Sequence, residues 1–264
     1  ELQSPNRPLL SILTYGQSTE GEGQGEGEGS RQRGPGITPQ SWSVPSERIL
    51  RVGLIGAGGF MRAMHIPNLM QQPDRFRVVC VCDQQGATAE TVAANFEGAR
   101  ATSDATELFD ANDVDLVMIG TRHNSHAALA SEGLSAGKAV FVEKPMCMTP
   151  EELENLLQVI KTTEAPFMVG YNRRFAPLTQ KLKKQLSKRI NPAMIHYTMN
   201  AGYIPYNRWV HGPEGGGRIL GEGCHIIDLY RALIDSPIDT MSVHSIKVGT
   251  GSVRSWDNKL ISLR

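Results

Sequence analysis

Three groups of residues in this 264-residue chain have types and spacings that could do chemistry. The first is Gly56-Ala57-Gly58-Gly59-Phe60-Met61, which follows the apolar run Leu50 to Ile55, so the glycines fall where a strand hands over to a helix. At such a junction Gly56 allows a tight turn and Gly58 lets the backbone approach a pyrophosphate. The helix start adds free N–H groups and positive potential. Met61 stands at the third position of the G-x-G-x-x-G/A pattern, a departure, and the glycines alone fit a structural turn equally well. The second group is Val79-Cys-Val-Cys-Asp83, a strand ending in a carboxylate where the adenosine ribose hydroxyls of a dinucleotide would lie. Asp83 could otherwise be a turn residue or a cap before Thr88, but strand, glycine turn, helix, strand and acid together favour dinucleotide binding. The third group is Val140-Phe141-Val142-Glu143-Lys144-Pro145, at the carboxyl end of an expected central strand, where open α/β sheets place ligands. A lysine there can move a proton at an alcohol oxygen when burial and a nearby cofactor charge weaken its hold on that proton. Away from such a strand end, Glu-Lys-Pro reads as a solvated loop.

The other polar residues invite blander readings. His123 and His126 are three apart near a helix start, a spacing that could serve zinc, but no third ligand stands at a telling distance and no metal is expected. His65, His196, His211 and His244 read as packing or surface residues, and Lys181 to Lys188 as a solvated helix face. Cys80, Cys82, Cys147 and Cys224 contain no C-x-x-C pair and read as ordinary thiols in a reducing compartment.

The elements that must position these groups alternate. Apolar runs at Leu50 to Ile55, Arg77 to Cys82, Asp115 to Ile119, Ala139 to Val142 and Pro166 to Gly170, with a weaker one at Ala99 to Thr102, read as strands. Between them Gly59 to Met70, Ala87 to Phe96, Ala105 to Ala111, Ser125 to Ala136 and Pro150 to Lys161 read as helices. The last has its own start signal, Thr149 as N-cap, Pro150 at the first position and Glu152 three residues after the cap. Near-continuous apolar strands alternating with helices predict a parallel sheet covered on both faces. The fold class is therefore α/β, a doubly wound Rossmann-type parallel sheet spanning 48–170. After Tyr171 the rhythm changes: a basic helix Leu178 to Lys188, a strand-like Ala193 to Met199, a helix around Leu220 to Ile234 and further strands suggest an α+β substrate domain over 171–264, C-terminally incomplete. The stretch 16–47, with Glu20 to Gly29 alternating Gly with Glu and Gln, reads as a flexible linker, and 1–15 as the possible tail of a preceding domain.

Composition narrows the field of functions. The 27 basic and 27 acidic residues cancel, leaving no field to hold phosphate backbones or anionic lipid, so neither nucleic acid nor membrane is expected as a partner. Apolar residues make up 40% and charged residues 20%, which suits a globular chain. The longest apolar runs fall far short of the roughly 20 residues that span a bilayer. No export signal is visible, and a cytoplasmic location is the expectation.

With these residues in view, the chain resembles the Gfo/Idh/MocA oxidoreductases. The resemblance is carried by the glycine turn Gly56 to Gly59, Asp83, Thr121 to His126, Glu143-Lys144-Pro145, and Gly215-Gly216-Gly217 followed by His225, from Arg51 to Asp228. Thr121-Arg122-His123, Tyr171 to Phe175 and Gly221-Glu222-Gly223-Cys224-His225 are similar to a branch fused behind a zinc-type alcohol dehydrogenase-like domain, and Glu1 to Tyr15 to that domain's tail. The resemblance implies an NAD(P)-dependent dehydrogenase, with NAD in preference to NADP. It would pass a hydride between nicotinamide and a secondary hydroxyl of a sugar, polyol or nucleotide sugar.

In that reading Lys144 and His225 handle the hydroxyl proton, and Gly56, Gly58, Gly59, Phe60, Asp83, Thr121, His126 and Glu143 hold the dinucleotide. The Lys144–Pro145 bond is expected to be cis. Gly221 stands where the family usually has Asp, four residues before the histidine, and Glu222 is the candidate replacement or a group orienting His225. Arg173 and Arg174 are candidates for holding substrate or for structural ion pairs. Two rivals remain: an inactive dinucleotide-binding regulatory or scaffold module, and metal-assisted hydrolysis by the histidine pair. Assembly into a homo-oligomer stays open.

Overall fold

The structure, a computed structural model, describes residues 48–245 and 258–264. The expectations for 1–15 and 16–47 lie outside the described residues. Six parallel strands form one sheet: β1 (Leu50–Ile55), β2 (Phe76–Cys82), β3 (Arg100–Thr102), β4 (Leu116–Ile119), β5 (Ala139–Val142) and β6 (Phe167–Val169), in the order β3-β2-β1-β4-β5-β6. That order reverses direction beside β1, which opens a crevice at the carboxyl ends of β1 and β4.

The strand sequences show why both faces must be covered. Val117 and Ile119 of β4 and Val140 and Val142 of β5 enter one core cluster, while Leu116, Met118 and Ala139 enter the other. β2 divides the same way, with Cys80 and Cys82 on one face and Val78 and Val81 on the other, because its register shifts between its pairings with Val52 and Gly53. Alternate residues thus bury on opposite faces. Helices α2 (Gly86–Ala93), α3 (Thr106–Phe109), α4 (His126–Ser135) and α5 (Pro150–Thr162) supply the cover. At the start of α5, Thr149 accepts a hydrogen bond from the Glu152 N–H, and Met148 N–H donates to the Glu152 carboxylate, completing the expected start signal.

The helix expected over 59–70 is divided. A π-helical turn, Met61–His65, precedes a short α1, Ile66–Met70. Pro67 lacks an N–H and its ring crowds the carbonyl one turn back, so the backbone widens ahead of it. Past β6 come α6 (Pro177–Leu186) and α7 (Cys224–Ile234), the latter led by a second π-helical turn, Ile219–Gly223. His225, Asp228, Leu229, Ala232 and Leu233 form the buried stripe of α7, and Asp235 ends it in a left-handed conformation. β7 (Met241–Ser245) and β8 (Lys259–Leu263) pair antiparallel with each other.

The strand expected over 193–199 does not form, and this is a correction to the sequence reading. A strand needs a neighbouring backbone to satisfy its peptide groups. Here β7 and β8 take each other, and 193–199 runs largely exposed, with Ile195 O near the Tyr230 hydroxyl at 3.5 Å.

Candidate active site

The glycine turn is built by close approach. Gly56 has φ +87°, and a Cβ there would lie 2.8 Å from Thr121 N and 2.9 Å from the Gly120 carbonyl carbon. Only glycine fits between these strands. Next to it Ala57 N–H donates to Asp83 Oδ2 at 2.8 Å, and Gln85 N–H to Oδ1 at 2.9 Å. Asp83 is therefore both a brace for the turn and a fixed carboxylate at the crevice rim, with lone pairs left on each oxygen. Nothing approaches within 4 Å of the Cβ positions of Gly58 and Gly59, which leaves an open cradle of backbone that fits a pyrophosphate. Phe60 is half-exposed beside it. Met61 is fully buried, and its Cε occupies the space above Gly120, where a Cβ would meet it at 2.7 Å. The departure at Met61 is thus a packing exchange with Gly120.

Glu143-Lys144-Pro145 leaves β5 with a cis Lys144–Pro145 bond. Glu143 is buried, with Oε1 2.8 Å from His65 Nε2, and its Oε2 accepts from the Lys144 N–H at 3.2 Å. A Cβ at Gly170 would lie 2.7 Å from Glu143 Oε1, so the carboxylate needs glycine beside it. His65 was assigned to packing or surface by the sequence, and the structure instead brings it into the site. The π-helical turn aims it inward between Phe60 and Phe141, with ring centroids 5.5 and 5.2 Å away.

The Thr121–His126 segment crosses from β4 toward α4. Thr121 Oγ1 lies 2.6 Å from Ser125 Oγ at the rim of the crevice. His126 is buried, with Nδ1 2.7 Å from Pro145 O and Nε2 3.1 Å from Thr121 O. Burial pushes its pKa down, so the ring is neutral with one N–H, which we assign to the shorter contact. The Nδ1–H bond to Pro145 O ties His126, and with it the loop after β4, to the loop after β5.

Lys144 Nζ donates to Gly221 O at 2.9 Å, joining the β5 loop to the turn before α7. One turn on, His225 is buried, and its Nδ1 has no hydrogen-bond partner among the described residues. Burial, followed by the positive charges of Lys144 and Arg173, lowers its pKa to about 4, so at neutral pH the ring is an uncharged base. Tyr171 packs edge-on against it at 6.0 Å.

The Glu222 carboxylate lies 3.4 Å from Arg173 NH2. Arg174 is paired with the buried Asp228 one turn beyond His225, through a 2.8 Å Nε contact and a second bond from NH2. Of the two arginines considered for substrate, Arg174 is thus a structural partner of α7, and Asp228 is a residue the sequence reading passed over. His123 is buried with Nδ1 2.8 Å from Gly215 O. The histidine pair has its rings 5.9 Å apart, three of its four nitrogens face carbonyls, and no group of three metal-binding side chains forms among the described residues. Burial pushes the Cys82 thiol up to about 12 and the Cys224 thiol up to about 11, so both are unreactive.

This geometry can be set against known proteins. The model of an oxidoreductase family, the Gfo/Idh/MocA NAD-binding Rossmann fold, matches residues 50–171. Residues 50–171 belong to the Gfo/Idh/MocA oxidoreductases. The match covers every element from β1 to β6, and NAD is the dinucleotide that its description assigns to this domain.

Similarity continues beyond that domain. The chain is 34% identical over 200 residues to Inositol 2-dehydrogenase 2 of Saccharopolyspora erythraea, covering 74% of this chain and 57% of the relative. It is 37% identical over 220 residues to Inositol 2-dehydrogenase of Rhizobium meliloti, covering 81% and 65%. Among solved structures, an NAD-binding protein from Listeria innocua matches with TM-score 0.64 and 29% identity, over 75% of this chain and 59% of that one. The chain thus spans 57 to 65% of the length of these curated relatives. Among the described residues no helix is long and apolar enough to cross a membrane.

Proposed function

We propose that this chain carries the NAD site and the proton-handling residues of a dehydrogenase that oxidises a secondary hydroxyl of a polyol or sugar. One observation carries the reading. Lys144 and His225 are anchored to one turn of chain, Lys144 by its bond to Gly221 O and His225 by its place at the start of α7, and His225 is an uncharged base at neutral pH whose Nδ1 has no partner among the described residues. A neutral imidazole beside a lysine is a pair able to take and relay the proton that leaves an alcohol as it becomes a ketone. The names of the two inositol dehydrogenase relatives support a polyhydroxylated ring as the substrate class.

Within that reading Gly58 and Gly59 receive the pyrophosphate, Asp83 accepts from the adenosine ribose hydroxyls, and Glu143, held by His65, faces the nicotinamide ribose. Bound NAD supplies the hydride acceptor. The chain's own residues do the rest. Lys144 holds the substrate hydroxyl and with His225 takes and relays its proton, and Thr121, Phe60 and the Gly120 segment line the crevice. His126 acts indirectly, by holding the two loops together.

The test is a panel of inositols, aldoses and nucleotide sugars incubated with NAD and the full-length protein, following absorbance of the reduced cofactor. Turnover with a polyol or sugar is the expected result. NAD binding without turnover on any member of the panel refutes the dehydrogenase reading and leaves the regulatory module in its place.

A further inference from the structure

The backbone of Gly221 holds Lys144, and the His123 ring fills the space where a side chain at 221 would begin. A Cβ at 221 would lie 3.0 Å from His123 Cε1, with Nδ1 and Nε2 each 3.9 Å away, so the ring presents its Cε1 edge to that position. The two nitrogens flank it. Nδ1 lies 2.8 Å from Gly215 O, and since a carbonyl only accepts, Nδ1 carries the proton. Nε2 is then an acceptor, and no protein group takes it up among the described residues. It is also not one of the sealed atoms without a partner, a class in which His225 Nδ1 alone appears among those residues.

The surroundings hold the ring firmly and leave Nε2 without a protein partner among the described residues. Trp209 packs edge-on against His123 at 4.9 Å, and the Arg122 guanidinium lies over Trp209 at 5.7 Å while pairing with Glu214. The groups that act on His123 electrostatically are His126, Lys144 and Glu222, and burial, the largest influence, keeps the ring neutral. An uncharged acceptor held beside Lys144 suits one chemical class: a hydroxyl that donates a hydrogen bond.

We infer that His123 is a substrate-binding residue that occupies the space left by Gly221, anchors the Gly215–Gly217 turn through Nδ1, and accepts a hydrogen bond through Nε2 from a second hydroxyl of a polyol held at Lys144. This rests on the polyol dehydrogenase reading and deepens it. An acceptor at this place favours substrates with a hydroxyl next to the reacting carbon over simple secondary alcohols.

Two variants separate binding from packing. His123→Asn places an amide nitrogen where Nδ1 was, keeping the bond to Gly215 O, but has no atom at Nε2. His123→Phe keeps the volume and loses both. In full-length protein we expect His123→Asn to keep its melting temperature and its NAD affinity within about twofold, while KM for the polyol rises about tenfold, the scale of one lost hydrogen bond to a neutral partner. His123→Phe should show the same rise together with a lower melting temperature. Turnover of a simple secondary alcohol lacking the neighbouring hydroxyl should be insensitive to His123→Asn. Wild-type KM for the polyol in His123→Asn overturns the inference while leaving the dehydrogenase reading intact. Absence of polyol binding to the wild-type NAD complex, measured by calorimetry, overturns both.

Discussion

Gly56 and Gly58 sit two residues apart in one turn, and the structure assigns them opposite sensitivities to the same substitution. In Gly56→Ala the new methyl meets backbone that cannot move aside, Thr121 N at 2.8 Å and the Gly120 carbonyl carbon at 2.9 Å, at φ +87°. A left-handed conformation costs an L-residue roughly 1–2 kcal/mol. Relieving the overlap requires β1 and β4 to part, so a total of about 2–3 kcal/mol is expected, at the upper end of ordinary point substitutions. For a domain of this size that corresponds to a fall of roughly 5–10 °C in melting temperature.

Gly58→Ala meets nothing within 4 Å in the protein, so stability should hold. If the pyrophosphate lies on that backbone, however, the methyl stands in its place, and NAD affinity should drop at least about tenfold, a loss of about 1.4 kcal/mol. Thermal melting without cofactor and calorimetric titration with NAD read the two effects separately. A Gly56→Ala protein as stable as wild type refutes the packing argument. A Gly58→Ala protein that binds NAD normally refutes the placement of the pyrophosphate.

Two further predictions follow from the charges. Asp83 is fixed by Ala57 N–H and Gln85 N–H, so it cannot swing away from a 2'-phosphate. At about 4 Å the repulsion is roughly 4 kcal/mol per unit charge for an effective dielectric of about 20, before solvent reduces it, and titration should show NAD binding far more tightly than NADP. Equal affinity for the two cofactors contradicts the ribose role given to Asp83. His225 has its pKa lowered from 6.5 to about 4 by burial and the neighbouring positive charges, so the folded state disfavours its protonated form. Stability is full above pH 6.5 and falls as pH drops toward 4, by up to about 3 kcal/mol from this group. His123 and His126 act in the same direction. Urea unfolding between pH 7 and 4 should show a shallower decline in His225→Gln than in wild type, and identical slopes would contradict the burial of a neutral ring.

Whatever depends on local sequence was legible without the structure. The strand before Gly56, the acid after Cys82, the Thr149–Glu152 start of α5 and the Glu143-Lys144-Pro145 exit from β5 are each contained within a few consecutive residues, and the structure places them as read. What escaped the sequence depends on geometry between distant segments. His65 reaches Glu143 because Pro67 widens the helix into a π-helical turn, and no periodicity announces that. Arg174 meets Asp228 across 54 residues, and an arginine in a loop looks the same whether it awaits a substrate or a carboxylate. Ala193 to Met199 has the composition of a strand, but pairing is decided by the partner, and β7 and β8 satisfy each other. At the level of sequence Gly221 was a departure from the family's Asp position. In three dimensions its carbonyl holds Lys144 and its missing side chain makes room for His123.

The central claim is that Lys144 handles the proton of an alcohol and does not bind the dinucleotide. Its most direct test compares Lys144→Ala with wild type in the full-length protein, measuring turnover on the best polyol from the panel alongside NAD affinity. A positioned acid–base group contributes about 10² to 10⁴ in rate, so turnover should fall by that factor while the NAD dissociation constant stays within about twofold. Wild-type turnover in Lys144→Ala, with cofactor binding intact, would contradict the account.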